Sequence, residues 1–471
     1  MAAHFIARLI AIGCLLATVA ANPAKAQALR GTPDEQMQAV LDQLAALNPK
    51  PLDTLTPAEA RKQPGPVQAV KALLKKQGKS SDPEAVGKVE NKSIDGPGGK
   101  IQIRIYSPKG DGPFPVLVYW HGGGWVLADL DTYDATPRAL CNAADCVVVS
   151  CHYRQAPEHK FPAAPDDAFA AYQWVVKNTK DLKGDVKKIA VAGESAGGNL
   201  AAGVAFQARE KKVQMPVHQV LVYPVTDFNF ENQSYVEHAS AKPLNREMMK
   251  WFWGHYLADP KDVHQPRASI LKTADLSGLP STTIILAEID PLRTEGLAYG
   301  ARLMEADVSA KIFEYEGVAH EFFGMGAVID KANDAVETAA TELRVAFGNK
   351  PNKLEGAYTI VSGERDGKPI PAAEIQGSIV KFEGNTIVGI DKDSQVVFGS
   401  MFEINNFKKP ATIRMTSTAP QQGLTTEGVI QVAGDTVMLC YALPGGETPT
   451  TFKTKEKQHC FVLKRVPSSR R

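Results

Sequence analysis

No stretch of this 471-residue chain is both long and apolar enough to cross a bilayer: its longest apolar run, Leu9 to Ala21, falls short of the ~20 residues a spanning helix needs. Neither sign of charge prevails, with 53 Lys and Arg against 52 Asp and Glu, and basic residues are neither massed in a block nor interleaved with aromatics. That excludes a nucleic-acid partner and points to a small, weakly charged one. Cysteine is scarce. Beyond Cys14 there are only Cys141, Cys146, Cys151, Cys440 and Cys460, an odd set that cannot pair completely within one chain. The first three follow an apolar strand with no second ligand cluster, so no metal is expected, and nothing in the pattern calls for a cofactor.

What is present begins with a leader. His4 and Arg8 precede the apolar run, and Ala24-Lys25-Ala26 supplies a small-residue cleavage site before Gln27. Residues 1–26 therefore read as a secretory signal peptide, and export to the periplasm or beyond is expected. Too few apolar residues precede Cys14 for a lipoprotein site. The remaining length suits two domains, one near 300 residues and one near 100. In an oxidising compartment Cys440 and Cys460, in the last two predicted strands, are the plausible pair.

Two glycine motifs carry the chemistry. His121-Gly122-Gly123-Gly124-Trp125 follows the apolar run Pro115 to Trp120, and Gly193-Glu194-Ser195-Ala196-Gly197-Gly198 follows Ile189 to Ala192. Ser195 thus sits between a predicted strand and a predicted helix, where Gly193 and Gly197 permit a sharp turn. Downstream, the apolar run Thr282 to Ile289 ends at Asp290-Pro291-Leu292-Arg293, and Lys311 to Tyr315 leads to Gly317-Val318-Ala319-His320. The order Ser, Asp, His, with each residue at a strand end, points to a serine hydrolase. In that reading Ser195, His320 and Asp290 are nucleophile, base and orienter, and the N–H groups of Gly123, Gly124 and Ala196 receive the oxyanion. His121 orients its loop without reacting, and His152 and His159 are structural.

These motifs, with Tyr153-Arg154-Gln155-Ala156-Pro157-Glu158-His159, Tyr223-Pro224 and His320-Glu321-Phe322-Phe323, resemble the bacterial hormone-sensitive-lipase family of carboxylesterases from about residue 33 to about 347. The resemblance implies an α/β-hydrolase, with a doubly wound, mostly parallel sheet and a helical cap, acting on a small-molecule carboxylic ester. Three positions depart from the family: Glu194 and His152 stand where Asp is usual, and Thr294 replaces an Asp after Arg293. The same triad would serve an acyltransferase or amidase. A non-catalytic binding protein would need a lost triad member, and none is lost.

Alternating predicted strands near Val116, Cys146, Ile189, Val220, Ile284 and Ile312 and helices near Tyr133, Asp167, Ala196, Met248, Gly296 and Ala332 agree with that fold. Helices at Pro33 to Leu47 and Val67 to Gln77 are implied to belong to the cap, within about 33–80. The aromatic insertion 227–276 would form its other half. There Met248, Phe252 and Tyr256 share a helical face, which serves either packing or an acyl pocket. Trp125 and Trp251 are the substrate-contact candidates. These parts compose a catalytic domain over 27–350.

Past Lys350 the pattern changes to about eight short strands between turns, the mark of a small closed barrel over 352–466. Leu354-Glu355-Gly356, Asp366 to Pro371, Gly434 to Tyr441 and Pro449 to Phe452 resemble a lipocalin-like bacterial domain, with Tyr358 where that family often has Trp. No catalytic set assembles there, leaving stabilisation or the holding of a small hydrophobic ligand as its role.

Overall fold

The apolar runs become the centre of one eight-stranded sheet. Its strands are β1 (Lys88–Gly96), β2 (Gly99–Ser107), β3 (Phe114–Trp120), β4 (Val147–His152), β5 (Gly184–Glu194), β6 (His218–Val222), β7 (Ser281–Ile289) and β8 (Ala310–Ala319), in the order β1-β2-β4-β3-β5-β6-β7-β8. From β4 to β8 all neighbours are parallel, while β1 and β2 form an antiparallel edge. The computed structural model describes residues 31–348, 354, 356–383, 386–393, 395–405, 410–420 and 422–466. The expected leader and the linker at Lys350 lie outside them.

The sheet is covered on both faces, as parallel strands require. Val116, Val118 and Trp120 enter one buried cluster with the helices Ala163–Asn178 and Ala196–Glu210. Leu117 and Tyr119 face the other way, in a cluster with the helices Ala135–Ala144 and Asp330–Ala346. Two cap segments approach each other above the strand ends. The helix Arg246–Tyr256 meets the N-terminal segment where the Trp251 indole N–H donates to Leu55 O at 3.0 Å. Arg61 then ties that segment to the body through Val126 O, Ala156 O and a two-pronged bond to Glu158.

The helix Arg246–Tyr256 buries Phe252 and Tyr256 of the expected face, with Met249 and Trp253 beside them, and packs the partly covered Met248 against the same cluster. Two readings need correction. Cys141 lies on the helix Ala135–Ala144 and not on a strand, and Cys146 immediately precedes β4. All three of these cysteines are buried thiols, and burial pushes Cys141 up to about 12. β1 went unread, because only Ile94 of its nine residues is buried and its pairing to β2 supplies the order that an apolar pattern does not.

The C-terminal segment forms a closed antiparallel barrel of eight main strands, β9 (Gly356–Arg365), β11 (Ile379–Glu383), β12 (Thr386–Ile390), β13 (Val396–Asn405), β14 (Ala411–Ala419), β15 (Thr425–Ala433), β16 (Thr436–Ala442) and β17 (Gln458–Arg465), with a two-residue β10 (Lys368–Pro369) at its side. Pairing of β17 with β9 closes it. Its inside holds Tyr358, Phe382 and Phe402, packed edge to face at 5.5 and 5.6 Å. Cys440 and Cys460 are direct cross-strand partners in β16 and β17 and form a disulfide.

Among the described residues, no buried apolar cluster joins the two sheets: those of the larger sheet end at Phe347, and those of the barrel begin at Leu354. A chain of residues 27–350 is therefore expected to fold and to keep its kcat/KM within about threefold of that of the whole mature chain. An insoluble or inactive product would refute this. Replacing Cys440 and Cys460 by serine should destabilise the barrel by about 3 kcal/mol. The loss should appear in a separate unfolding transition while that of the larger domain stays in place.

Candidate active site

The parallel register brings the strand ends together. Trp120 pairs with Gly193 across β3 and β5, and Ile289 pairs with Ala319 across β7 and β8, so each strand releases its next residues on the same edge of the sheet. Ser195 is held at φ 55°, ψ −119° between β5 and the helix Ala196–Glu210. Few side-chain-bearing residues adopt that conformation, and the surroundings enforce it. The Ser195 N–H donates to Val222 O at 2.9 Å, and a Cβ at Gly193 or Gly197 would lie 2.1 Å from Gly197 O or 2.0 Å from Trp120 O.

Three side chains from three loops converge. His320 Nε2 lies 3.0 Å from Ser195 Oγ, His320 Nδ1 lies 2.6 Å from Asp290 Oδ2, and Asp290 Oδ1 accepts the Leu292 N–H at 2.8 Å. Asp290 is fully buried and His320 and Ser195 are 3% and 4% exposed, so the three side chains are shielded from bulk water. With Nδ1–H donated to the carboxylate, Nε2 carries the lone pair that can accept the hydroxyl proton.

Beside them runs the triglycine loop. Gly123 and Gly124 have φ of 93° and 59°, and a Cβ on Gly124 would meet the Phe252 ring at 2.2 Å. Among the described residues, the N–H groups of Gly123, Gly124 and Ala196 meet no acceptor, which leaves all three free for a ligand oxygen. His121 is buried, stacks on Tyr153 at 4.6 Å and contacts the Gly122 carbonyl through Nδ1 at 2.8 Å. The Tyr153 hydroxyl donates to His121 O and Gly122 O, both at 3.1 Å.

Two further carboxyls lie near the imidazole. Glu194 is buried and accepts from the Tyr119 hydroxyl at 2.6 Å and from that of Tyr223, whose ring lies 4.4 Å from that of His320. Burial and the neighbouring Glu321 raise the Glu194 carboxyl to about 7. Glu321 accepts from the Tyr133 hydroxyl at 2.6 Å and stands 3.9 Å from His320 Nε2. Burial by itself pushes the His320 imidazole down, but the charge and hydrogen bond of Asp290, with Glu321 and Glu194 behind them, carry it above the ordinary histidine value. Sequence marked Glu194 as a departure from the family's usual Asp and Glu321 only as the neighbour of His320.

The aromatic candidates have other surroundings than expected. Trp125 is fully buried and stacks on Tyr256 at 4.0 Å, and Trp251 spends its indole N–H on the Leu55 carbonyl. Trp125 thus ties the insertion to the triglycine loop, Trp251 ties the insertion to the N-terminal segment, and Phe252 reaches the triglycine loop. Thr294 exchanges hydrogen bonds with Ser234 and so ties the loop after Asp290 to the insertion.

Comparison with known proteins bears on this geometry. A family model described as alpha/beta hydrolase fold matches residues 117–324. The esterase LipI of Mycobacterium tuberculosis is 38% identical over 265 residues, which cover 55% of this chain and 82% of that protein. The chain belongs to the hormone-sensitive-lipase-like α/β-hydrolases, and it is a carboxylic ester hydrolase. The ethyl acetate hydrolase of Pseudomonas putida is 33% identical to this esterase over 290 residues, 61% of this chain and 89% of that one. The crystal structure of a hyperthermophilic esterase from Pyrobaculum calidifontis superposes with a TM-score of 0.62 at 38% identity, covering 67% of this chain and 98% of that one.

If His320 acts as a base, the esterase is active only with that imidazole neutral, so kcat/KM must fall as pH drops through its pKa. The raised value puts the midpoint of the fall above the ordinary histidine range. Glu321→Gln removes a charge that favours the imidazolium and should move the midpoint to lower pH, while a midpoint that stays in place would show that Glu321 does not act on His320.

Proposed function

We propose that this carboxylesterase works through an acyl-enzyme on Ser195. The observation that carries the reading is the buried line from Asp290 through His320 to Ser195, at 2.6 and 3.0 Å. His320 takes the hydroxyl proton as Ser195 Oγ attacks the ester carbonyl, and Asp290 keeps the imidazole in its tautomer and offsets its charge. The N–H groups of Gly123, Gly124 and Ala196 receive the oxyanion, helped by the positive end of the helix that starts at Ala196. Collapse of the tetrahedral species expels the alcohol, which takes the proton back from His320. Water then repeats the sequence on the acyl-serine and releases the acid.

The acyl group enters a space bounded by the cap. Phe252 lies against Gly124 and packs edge to face on Trp251 at 5.2 Å, so the wall beside the triglycine loop is bulky. This supports short- to medium-chain esters as substrates. We also propose that the protein works after export to the periplasm or beyond. The leader-like residues 1–26 and the disulfide between Cys440 and Cys460 both support an oxidising compartment. For the barrel, an interior occupied by Tyr358, Phe382 and Phe402 supports stabilisation over the holding of a ligand.

Ser195→Ala is expected to lower kcat by about a thousandfold or more with an unchanged circular-dichroism spectrum, and a variant retaining a tenth of the parent's activity would refute the nucleophile. On nitrophenyl esters of rising acyl length, kcat/KM should peak at short to medium chains and fall beyond them. A maximum on long-chain esters would instead show that the cap opens into an unbounded groove.

A further inference from the structure

β3 and β4 run parallel with Trp120 paired to Cys151, so His121 and His152 emerge side by side from the sheet. Their rings stack at 5.2 Å, and His121 Nε2 lies 3.0 Å from His152 Nδ1. Which nitrogen holds each proton follows from the partners. The Gly122 carbonyl only accepts, so His121 Nδ1, at 2.8 Å from it, carries a hydrogen. Burial and the neighbouring His152 push the His121 imidazole down to about 3, so the ring is neutral and its Nε2 is a bare acceptor. Only an N–H on His152 Nδ1 can meet it.

The consequence reaches the triglycine loop. The Gly122 carbonyl and the Gly123 N–H belong to one planar trans peptide and point in opposite directions. Holding that carbonyl between His121 Nδ1–H and the Tyr153 hydroxyl therefore turns the Gly123 N–H away from both. We propose that His152 is a positioning residue: through its Nδ1–H it fixes the tautomer of His121 and thereby aims the Gly123 N–H at the oxyanion. The proposal rests on the reading of Gly123 as an oxyanion donor. The other groups facing the pair are Tyr133, whose ring is 5.8 Å from His121, Tyr153 stacked on it, the Asp129 carboxylate, which favours protonation of both imidazoles, and Arg61, which opposes it on His152.

The test is nitrogen-15 NMR of the histidines in the full chain, combined with steady-state kinetics. In the parent protein both rings should be neutral Nδ1–H tautomers at neutral pH. His152→Ala should lower kcat by about tenfold or more with little change in KM. His152→Asn, which keeps an N–H donor, should recover most of that loss. His152→Asp offers an acceptor in place of the donor and should bring a second proton onto His121, seen as an imidazolium at neutral pH. An Nε2–H tautomer of His121 in the parent would overturn the proposal, and so would equal kcat in the parent and the Ala variant. Should the Ala variant fail to fold, Asn and Asp variants with the same His121 state and the same kcat would also overturn it. Ser195→Ala tests the nucleophile separately, so failure of the positioning claim and failure of the triad are distinguishable.

Discussion

Backbone contact at one point governs the architecture of the site. Where β3, β5 and the helix after Ser195 meet, the carbonyls of Trp120 and Gly197 occupy the space that side chains at Gly197 and Gly193 would need. Without those two glycines the strand could not turn so sharply into the helix, and the hydroxyl of Ser195 would not stand above the sheet edge. The same contact sets the triglycine loop beside the serine, because that loop leaves the very strand whose last residue touches Gly197. A constraint on volume thus becomes a constraint on chemistry, and it is met by residues that contribute no functional group.

Charge around the imidazole is the second organising element. Asp290 balances one side of the ring, and Glu321 approaches the other at 3.9 Å from Nε2. Glu194 stands behind Tyr223. Placing several acidic groups near one histidine favours its charged form, but it also makes the acids compete with one another. The protein eases that competition with phenol donors, from Tyr119 and Tyr223 to Glu194 and from Tyr133 to Glu321, and by letting the Glu194 carboxyl rise to about 7.

Legibility from sequence followed the strength of the local signal. Runs such as Ile189 to Ala192 and Ile284 to Ile289 are apolar because both faces of the central strands are covered, and that made the strands, their order of function and the residues at their ends readable. β1 offered no such pattern, since only Ile94 is buried and cross-strand pairing decides its fate. The convergence of Ser195, Asp290 and His320 was anticipated from their strand-end placement. Glu194 was marked only as a departure from the family and Phe252 only as part of a helical face, because their contacts, like those of Glu321, arise from distances set by tertiary packing. Trp125 and Trp251 show the same limit: a large aromatic near a site can line a pocket or seal a joint, and composition does not distinguish the two. In the barrel, turn residues marked the strands well, while pairing extended several of them, β9 and β14 among them, beyond their apolar cores.

The two sheets also differ in when they can be completed. Neighbours in the larger one are joined mostly by crossovers through helices, whereas most neighbours in the barrel are joined by hairpins. The barrel closes only when β17 finds β9, a pairing of strands that bracket the whole module. Closure across such a separation is slow compared with forming hairpins, and until it happens two unpaired strand edges are exposed. Until that seam forms the barrel is an open ribbon, and the free edges of β9 and β17 are the part of it most open to pairing with another chain.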